Sequence, residues 1–219
     1  MSKITTIKAH LAHVNVCVYG EAGVGKTRLA ATAPRPLILN AERGLLSLSD
    51  LEMPVWDINR LSDLNEVIRF ARDDKDHDTY FLDSLSEVGE KTLAEMKDGT
   101  KEPRQAYMQM ADALWAITRQ FRDIKKHVVF VCKQEFNKDE DSGKAYFRPS
   151  APGQAFTGQI PYLFDEVFCM RIRKEGRYLQ TQPDLQYSAK DRSGTLQKQE
   201  EPHLGKIFEK ILTATKIPY

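Results

Sequence analysis

Gly20-Glu21-Ala22-Gly23-Val24-Gly25-Lys26-Thr27 fits the pattern G-x-x-x-x-G-K-[ST]. The apolar run Val14–Tyr19 precedes it, and the helix-prone stretch Lys26–Thr32 follows. Strand, glycine-rich turn and helix are the context in which this pattern has chemical meaning. Glycines let the backbone curl until several N–H groups point at one anion. A helix N-terminus adds partial positive charge. Lys26 can reach the β and γ phosphates of a nucleoside triphosphate, and the Thr27 hydroxyl can ligate Mg²⁺. Gly20, Glu21, Ala22, Gly23, Val24, Gly25, Lys26 and Thr27 are therefore the candidate nucleotide-binding residues, with ATP and Mg²⁺ as the expected cofactors.

Working outward, short β-branched runs recur at Pro36–Leu39, Thr79–Leu82, Val128–Cys132 and Glu166–Ile172, with weaker ones at Tyr178–Thr181 and Leu185–Ser188. Helical periodicity marks Leu61–Asp73, Ser86–Met96 and Gln105–Lys126. Strands alternating with helices predict an α/β fold with a mostly parallel central sheet flanked by helices. The spacing shortens after Glu166, which predicts antiparallel edge strands toward the C-terminus. Leu204, Ile207, Phe208, Ile211 and Leu212 share one face of an amphipathic helix at about 204–215. The whole of 1–219 reads as one domain with its core at about 14–192.

A metal at the phosphate loop needs an acidic contact. Tyr80-Phe81-Leu82-Asp83 is an apolar strand ending in a carboxylate, and α/β sheets bind ligands at the C-terminal ends of their strands. A strand next to the phosphate loop would bring Asp83 to the metal. Glu42 ends a second such strand and can polarise an attacking water; it can equally be a capping acid. Glu87 is the rival base.

Composition narrows the class. Of 219 residues, 41% are hydrophobic and 29% charged, with a net charge of +1, so polyanion binding would need a local basic patch. Cys17, Cys132 and Cys169 lie in apolar runs and read as buried thiols of a reducing compartment. Apolar runs fall short of the ~18 residues of a membrane span, and Met1–Ala12 has no signal-peptide pattern. The expectation is a cytoplasmic protein with no membrane partner.

Two stretches read as loops, Lys97–Pro103 and Phe136–Gln159. The second interleaves aromatic and basic residues: Phe136, Lys138, Lys144, Tyr146, Phe147 and Arg148. Cations that track phosphates and aromatics that stack on bases hold single strands. Asp139, Glu140 and Asp141 oppose this, and a charged hairpin with its aromatics packed on the core is the alternative.

These motifs, in this order, resemble the RecA/DnaB/KaiC class of P-loop ATPases over about Val14 to Arg192, above all the RecA core. The likeness extends to small phage-encoded Sak-type single-strand annealing proteins. Asn40-Ala41-Glu42 resembles the strand whose final Glu is the catalytic base, and Leu82-Asp83-Ser84 the strand that holds the metal. The run ending in Gln134 resembles the strand whose Gln senses the γ-phosphate and opens a DNA-binding loop. Lys190-Asp191-Arg192 resembles the K-x-R finger that reaches a neighbouring subunit's nucleotide. On a strand, Lys190 and Arg192 would share a face; alone they are two edge-strand cations. Lys97, Lys101 and Arg104 match the first DNA loop in position, and without the likeness are a solvated charged loop.

The resemblance implies a RecA-like P-loop NTPase that binds single-stranded DNA and promotes annealing or homologous recombination. Its partners would be single-stranded DNA, further copies of itself in a ring or filament, and a single-strand-binding protein. It would act in the cytoplasm of a phage's host. Neither an N-terminal polymerisation element before the core nor a C-terminal domain after it is expected. The rival readings are a nucleotide-gated interaction protein and a helicase-like motor, acting in phage replication or packaging.

Overall fold

Asn15–Tyr19 forms β1, and all five of its residues are buried. The structure, a computed structural model, describes residues 12–138 and 143–214. The readings at Met1–Leu11, at Asp139, Glu140 and Asp141, and at Thr215 lie outside them.

In chain order β1 is followed by a 3₁₀ turn at Thr27–Thr32, β2 (Pro36–Asn40), a second 3₁₀ turn at Leu45–Leu48, β3 (Val55–Asp57) and α1 (Leu61–Ala71). Then come β4 (Thr79–Asp83), α2 (Leu85–Asp98), α3 (Pro103–Arg122), β5 (His127–Lys138) and β6 (Ala145–Ser150). Short helices α4 (Gln154–Thr157) and α5 (Ile160–Leu163) lead into β7 (Glu166–Arg173) and β8 (Gly176–Gln180). The last elements are β9 (Lys190–Asp191), β10 (Gln199–Glu200) and α6 (Leu204–Ala214).

One sheet runs through these strands in the order β10-β8-β7-β1-β5-β4-β2-β3. β1 pairs in parallel with β5 and β7, and β4 in parallel with β5 and β2. β8, β9 and β10 are antiparallel, as the shortened spacing predicted. β4 is not beside β1, because β5 lies between them.

Alternation explains why the sheet is covered on both faces. Cys17 and Tyr19 of β1, with Val128, Phe130 and Cys132 of β5, face the cluster built by α1, α2 and α3. Val16, Val18, Val129 and Val131 face the opposite cluster, completed by Leu29, Ile207, Phe208 and Ile211. Leu64, Val67, Ile68 and Ala71, at helical spacing, are the buried stripe of α1. Pro103 opens α3, where a missing N–H costs nothing.

Three expectations change, and one strand was not foreseen. The segment after the phosphate loop is a 6-residue 3₁₀ turn, not an α-helix, so the loop has little helix dipole behind it. Pro34 and Pro36 soon after it leave no room for further turns. Much of the described part of Phe136–Gln159 is not a loop: β5 continues to Lys138 and pairs with β6, Phe136 opposite Phe147. Its charges hid the strand because this ribbon projects from the sheet with both faces partly solvated. Leu185–Ser188 is no strand and makes one bridge, Tyr187 to Phe147. The three-residue edge strand β3 was too short to leave a pattern.

Candidate active site

Parallel register brings the strand ends together. Tyr19 of β1 lies beside Cys132 of β5 and Cys169 of β7, and Asn40 of β2 beside Asp83 of β4. Gly20 follows directly on β1 and runs close against the Met170 backbone of β7. A Cβ there would sit 2.5 Å from the Met170 carbonyl oxygen, so only glycine fits.

The Thr27 hydroxyl donates to Asp83 Oδ2 at 2.5 Å. Lys26 Nζ donates to the carbonyls of Gly20 and Glu21, 2.8 Å each, so its ammonium spans the mouth of the loop. The Asp83 carbonyl accepts from the N–H of Ala41 at 2.8 Å and of Glu42 at 3.1 Å, which seats Glu42 against β4. Ser84, joined to Asp83 by a cis peptide, donates its hydroxyl to Glu42 Oε1. The Ser84 hydroxyl oxygen also accepts the Glu87 N–H at 3.2 Å and so caps α2.

A cleft of about 600 Å³ is lined by Gly20–Gly23, Gly25, Lys26, Thr27, Glu42, Ser47, Asp83, Lys133 and Gln134. Burial pushes the Asp83 carboxyl up to about 6; the Thr27 hydroxyl and the Lys26 charge oppose this, and Glu42 adds to it. Burial lowers Lys26, while Asp83 and Glu42 hold it up. Asp83 is buried and Lys26 half-buried, so their fields are strong there, whereas Glu42 stands at the exposed rim of the cleft.

Of the two rival carboxylates, Glu42 lines the cleft. Glu87 turns to Lys133 Nζ at 3.8 Å. Gln134 stands where β5 leaves the sheet, on the cleft wall, and its strand continues into the β5–β6 ribbon.

The cations of the supposed finger lie at the other end of the sheet. Asp191 pairs with Glu166 and Lys190 with Val167, at the start of β7. Lys190 Nζ donates to the carbonyls of Pro161 (2.9 Å) and Phe164 (2.6 Å), closing α5. Arg192 pairs with Asp165 at 2.8 Å and is exposed. The expectation that both cations share one outward face is not met. β9 has only two residues, and the carbonyls ending α5 draw the Lys190 ammonium inward.

The ribbon divides the candidate DNA residues. Phe147 stacks on Tyr187 at 5.1 Å, and its carbonyl accepts from the Tyr19 hydroxyl at 3.2 Å. Arg148 donates to Glu135 Oε1 at 2.8 Å and to Gln154 at 2.5 Å. These two are structural. Phe136 is 61% exposed, Lys138 and Lys144 are exposed, and Lys144 lies 5.4 Å over the Tyr146 ring. Lys97, Lys101 and Arg104 are exposed at the α2–α3 connection, Lys97 lying 5.3 Å over Tyr107. Gly153, just past β6, packs on Tyr107 and Met110 of α3, so the two segments adjoin.

Three site residues escaped the sequence reading. Lys133 sits on the cleft wall and pairs with Glu90 at 2.5 Å, which raises its pKa. Its place directly before Gln134 was the available signal. Ser84 was legible in Ser84-Leu85-Ser86-Glu87, a capping-box pattern. Ser47, in the second 3₁₀ turn, left no signal.

Residues 12–193 match the family described as AAA domain. The chain belongs to this AAA family. Among solved structures it is similar to a KaiC-like protein from the hyperthermophilic archaeon Pyrococcus horikoshii OT3, at 12% identity over 76% of each chain with a TM-score of 0.49. No curated protein matches.

The AAA domain is a nucleotide-binding P-loop ATPase domain, and its site fits ATP with Mg²⁺. Hydroxyl and carboxylate oxygens, the hard donors Mg²⁺ prefers, converge in Thr27 and Asp83. Among the described residues no group of three His, Cys, Asp or Glu side chains could hold a metal by itself. When bound, the metal would be held by Thr27 and Asp83 and would neutralise negative charge on the phosphates. None of the described helices is long and apolar enough to cross a membrane.

Proposed function

We propose that this AAA domain hydrolyses ATP and couples the nucleotide's state to single-stranded DNA. The carrying observation is one cleft that joins Thr27, Asp83, Glu42 and Gln134, with Gln134 on the strand that becomes the β5–β6 ribbon. In this reading Lys26 and the loop N–H groups orient the phosphates, and Thr27 with Asp83 places Mg²⁺. Glu42, held by Ser84, takes the proton of the attacking water. Gln134 contacts the γ-phosphate and passes its presence to the ribbon.

Phe136, Tyr146, Lys138 and Lys144 at the ribbon's outer part would hold the strand by stacking and phosphate contacts, with Lys97, Lys101 and Arg104 of the α2–α3 connection as further phosphate contacts. Annealing or recombination in a phage is the process that suits such a domain, alongside a single-strand-binding protein. Copies would associate head-to-tail, Arg192 reaching a neighbour's nucleotide and Lys190 bracing the segment that carries it. A nucleotide-gated docking role has one observation in its favour: Phe147 and Arg148 are spent on internal contacts. Helicase-like action lacks a comparable one.

The test is ATP turnover with and without an unstructured oligonucleotide. Stimulation by the oligonucleotide supports the coupling. Turnover that ignores it, with no DNA binding in any nucleotide state, promotes the docking role.

A further inference from the structure

The phosphate loop rests on the hairpin formed by β7 and β8, and one contact there has chemical consequences. Arg177, on β8, donates its Nε to the Val24 carbonyl oxygen at 2.8 Å. That carbonyl belongs to the Val24–Gly25 peptide, inside the loop. Gly25 has φ +105°, and a Cβ on it would lie 3.0 Å from Arg177 Nε. The missing side chain at Gly25 is what lets the guanidinium reach the loop from behind.

The Val24–Gly25 peptide is trans and planar, so its C=O and N–H point in opposite directions. Gly25 lines the nucleotide cleft, and Val24 lines an adjoining hollow with Met170 and Tyr187, the two sharing Glu21, Ala22, Gly23 and Gln134. The carbonyl points at Arg177 on the β7–β8 hairpin, so the N–H of the same peptide points away from that hairpin, and the Gly25 that carries it lines the cleft. A cation bound at the oxygen withdraws charge through the peptide and makes that N–H a stronger donor, since hydrogen bonds in a chain polarise one another. It also fixes the plane of a peptide whose glycine would otherwise let it flip.

We infer that Arg177 is a positioning residue for phosphate recognition. It holds the 24–25 peptide from the β7–β8 hairpin so that the Gly25 N–H presents a fixed, polarised donor to the nucleotide's phosphates. The inference rests on the reading of the cleft as a nucleotide site. It gives the β7–β8 hairpin a function that the loop's own sequence does not reveal. It also compensates for the short 3₁₀ turn behind the loop, whose dipole is small.

Calorimetry with MgADP tests it on the full chain, comparing wild type, Arg177→Ala, Arg177→Lys and Lys26→Ala, alongside the melting temperature of each nucleotide-free protein. A charge-assisted hydrogen bond of this kind predicts MgADP binding about tenfold weaker in Arg177→Ala. Its nucleotide-free melting temperature should match wild type. Arg177→Lys, which keeps a cation within reach of the carbonyl, should recover part of the affinity. Wild-type affinity in Arg177→Ala overturns the inference. So does a loss matched by a fall in melting temperature, which would mark a merely structural contact, and so does a Lys variant as weak as Ala. Failure of wild type to bind MgADP, or equal binding by Lys26→Ala, would instead defeat the nucleotide-site reading itself.

Discussion

Glu166→Gln should make this domain more stable in mild alkali than the wild type. Glu166 opens β7 with only 1% of its surface exposed. One carboxyl oxygen accepts the Ser193 N–H at 3.1 Å, and the other has no partner. Burial pushes this carboxyl from its ordinary 4.5 up to about 8, with Asp191 and Asp165 adding to the shift and the Ser193 and Arg192 backbone opposing it. The folded state therefore binds the proton more tightly than the unfolded chain. The stability this gives is complete below about pH 4.5 and is lost as pH rises toward 8. At about 1.4 kcal/mol per unit the ionised carboxyl costs on the order of 5 kcal/mol, a large share of a domain's stability. Glutamine has the same shape and no charge to bury. Urea unfolding followed by circular dichroism between pH 5 and 9 gives the comparison. The advantage of Glu166→Gln should grow through this range and level off above about pH 8. A flat difference, or a wild type that gains on the variant as pH rises, would show Glu166 ionised and satisfied, and would refute the reasoning.

Glu42→Gln should bind ATP normally and lose about 10²–10⁴-fold in turnover, whereas Glu87→Gln keeps most of it, as single-turnover assays would show; the reverse pattern assigns the base to Glu87. Arg192→Ala should bind ATP yet hydrolyse it slowly, and mixing with Lys26→Ala should restore part of the rate. Mixed oligomers without recovery would remove Arg192 from the neighbour's site. Joint replacement of Phe136 and Tyr146 by Ala should weaken single-strand binding by at least about tenfold in fluorescence anisotropy, whatever the sequence of the strand. It should leave ATP binding without DNA intact, and an unchanged anisotropy curve would take stacking out of the account.

The phosphate loop and its two carboxylates were legible because each ends a buried strand, and apolar runs of that kind are the strongest signal a chain gives. Register, which no local pattern reports, then did the assembling. It set Asn40 beside Asp83 and so placed Glu42, and it put β5 between β1 and β4. The ribbon was obscured for the opposite reason. Its extension past Gln134 is half-solvated, so its residues alternate without an apolar face, and a strand there reads as a charged loop. Lys190 shows a third kind of limit. Spacing says that Lys190 and Arg192 share a face, but the side chain follows the nearest unsatisfied carbonyls, and those belong to α5, about thirty residues away. Arg177 had no signal at all, because its meaning depends on which loop its strand happens to support.

The central claim is that Gly20–Thr27 and Asp83 form an ATP·Mg²⁺ site. Titration calorimetry of MgATP into wild type and Lys26→Ala addresses it most directly. Lys26 lies at the loop and outside both core clusters, so the variant should keep its fold by circular dichroism. The account predicts measurable binding to the wild type and binding abolished, or weakened by two orders of magnitude or more, in the folded variant, about 3 kcal/mol. Equal affinity in the two proteins would contradict it.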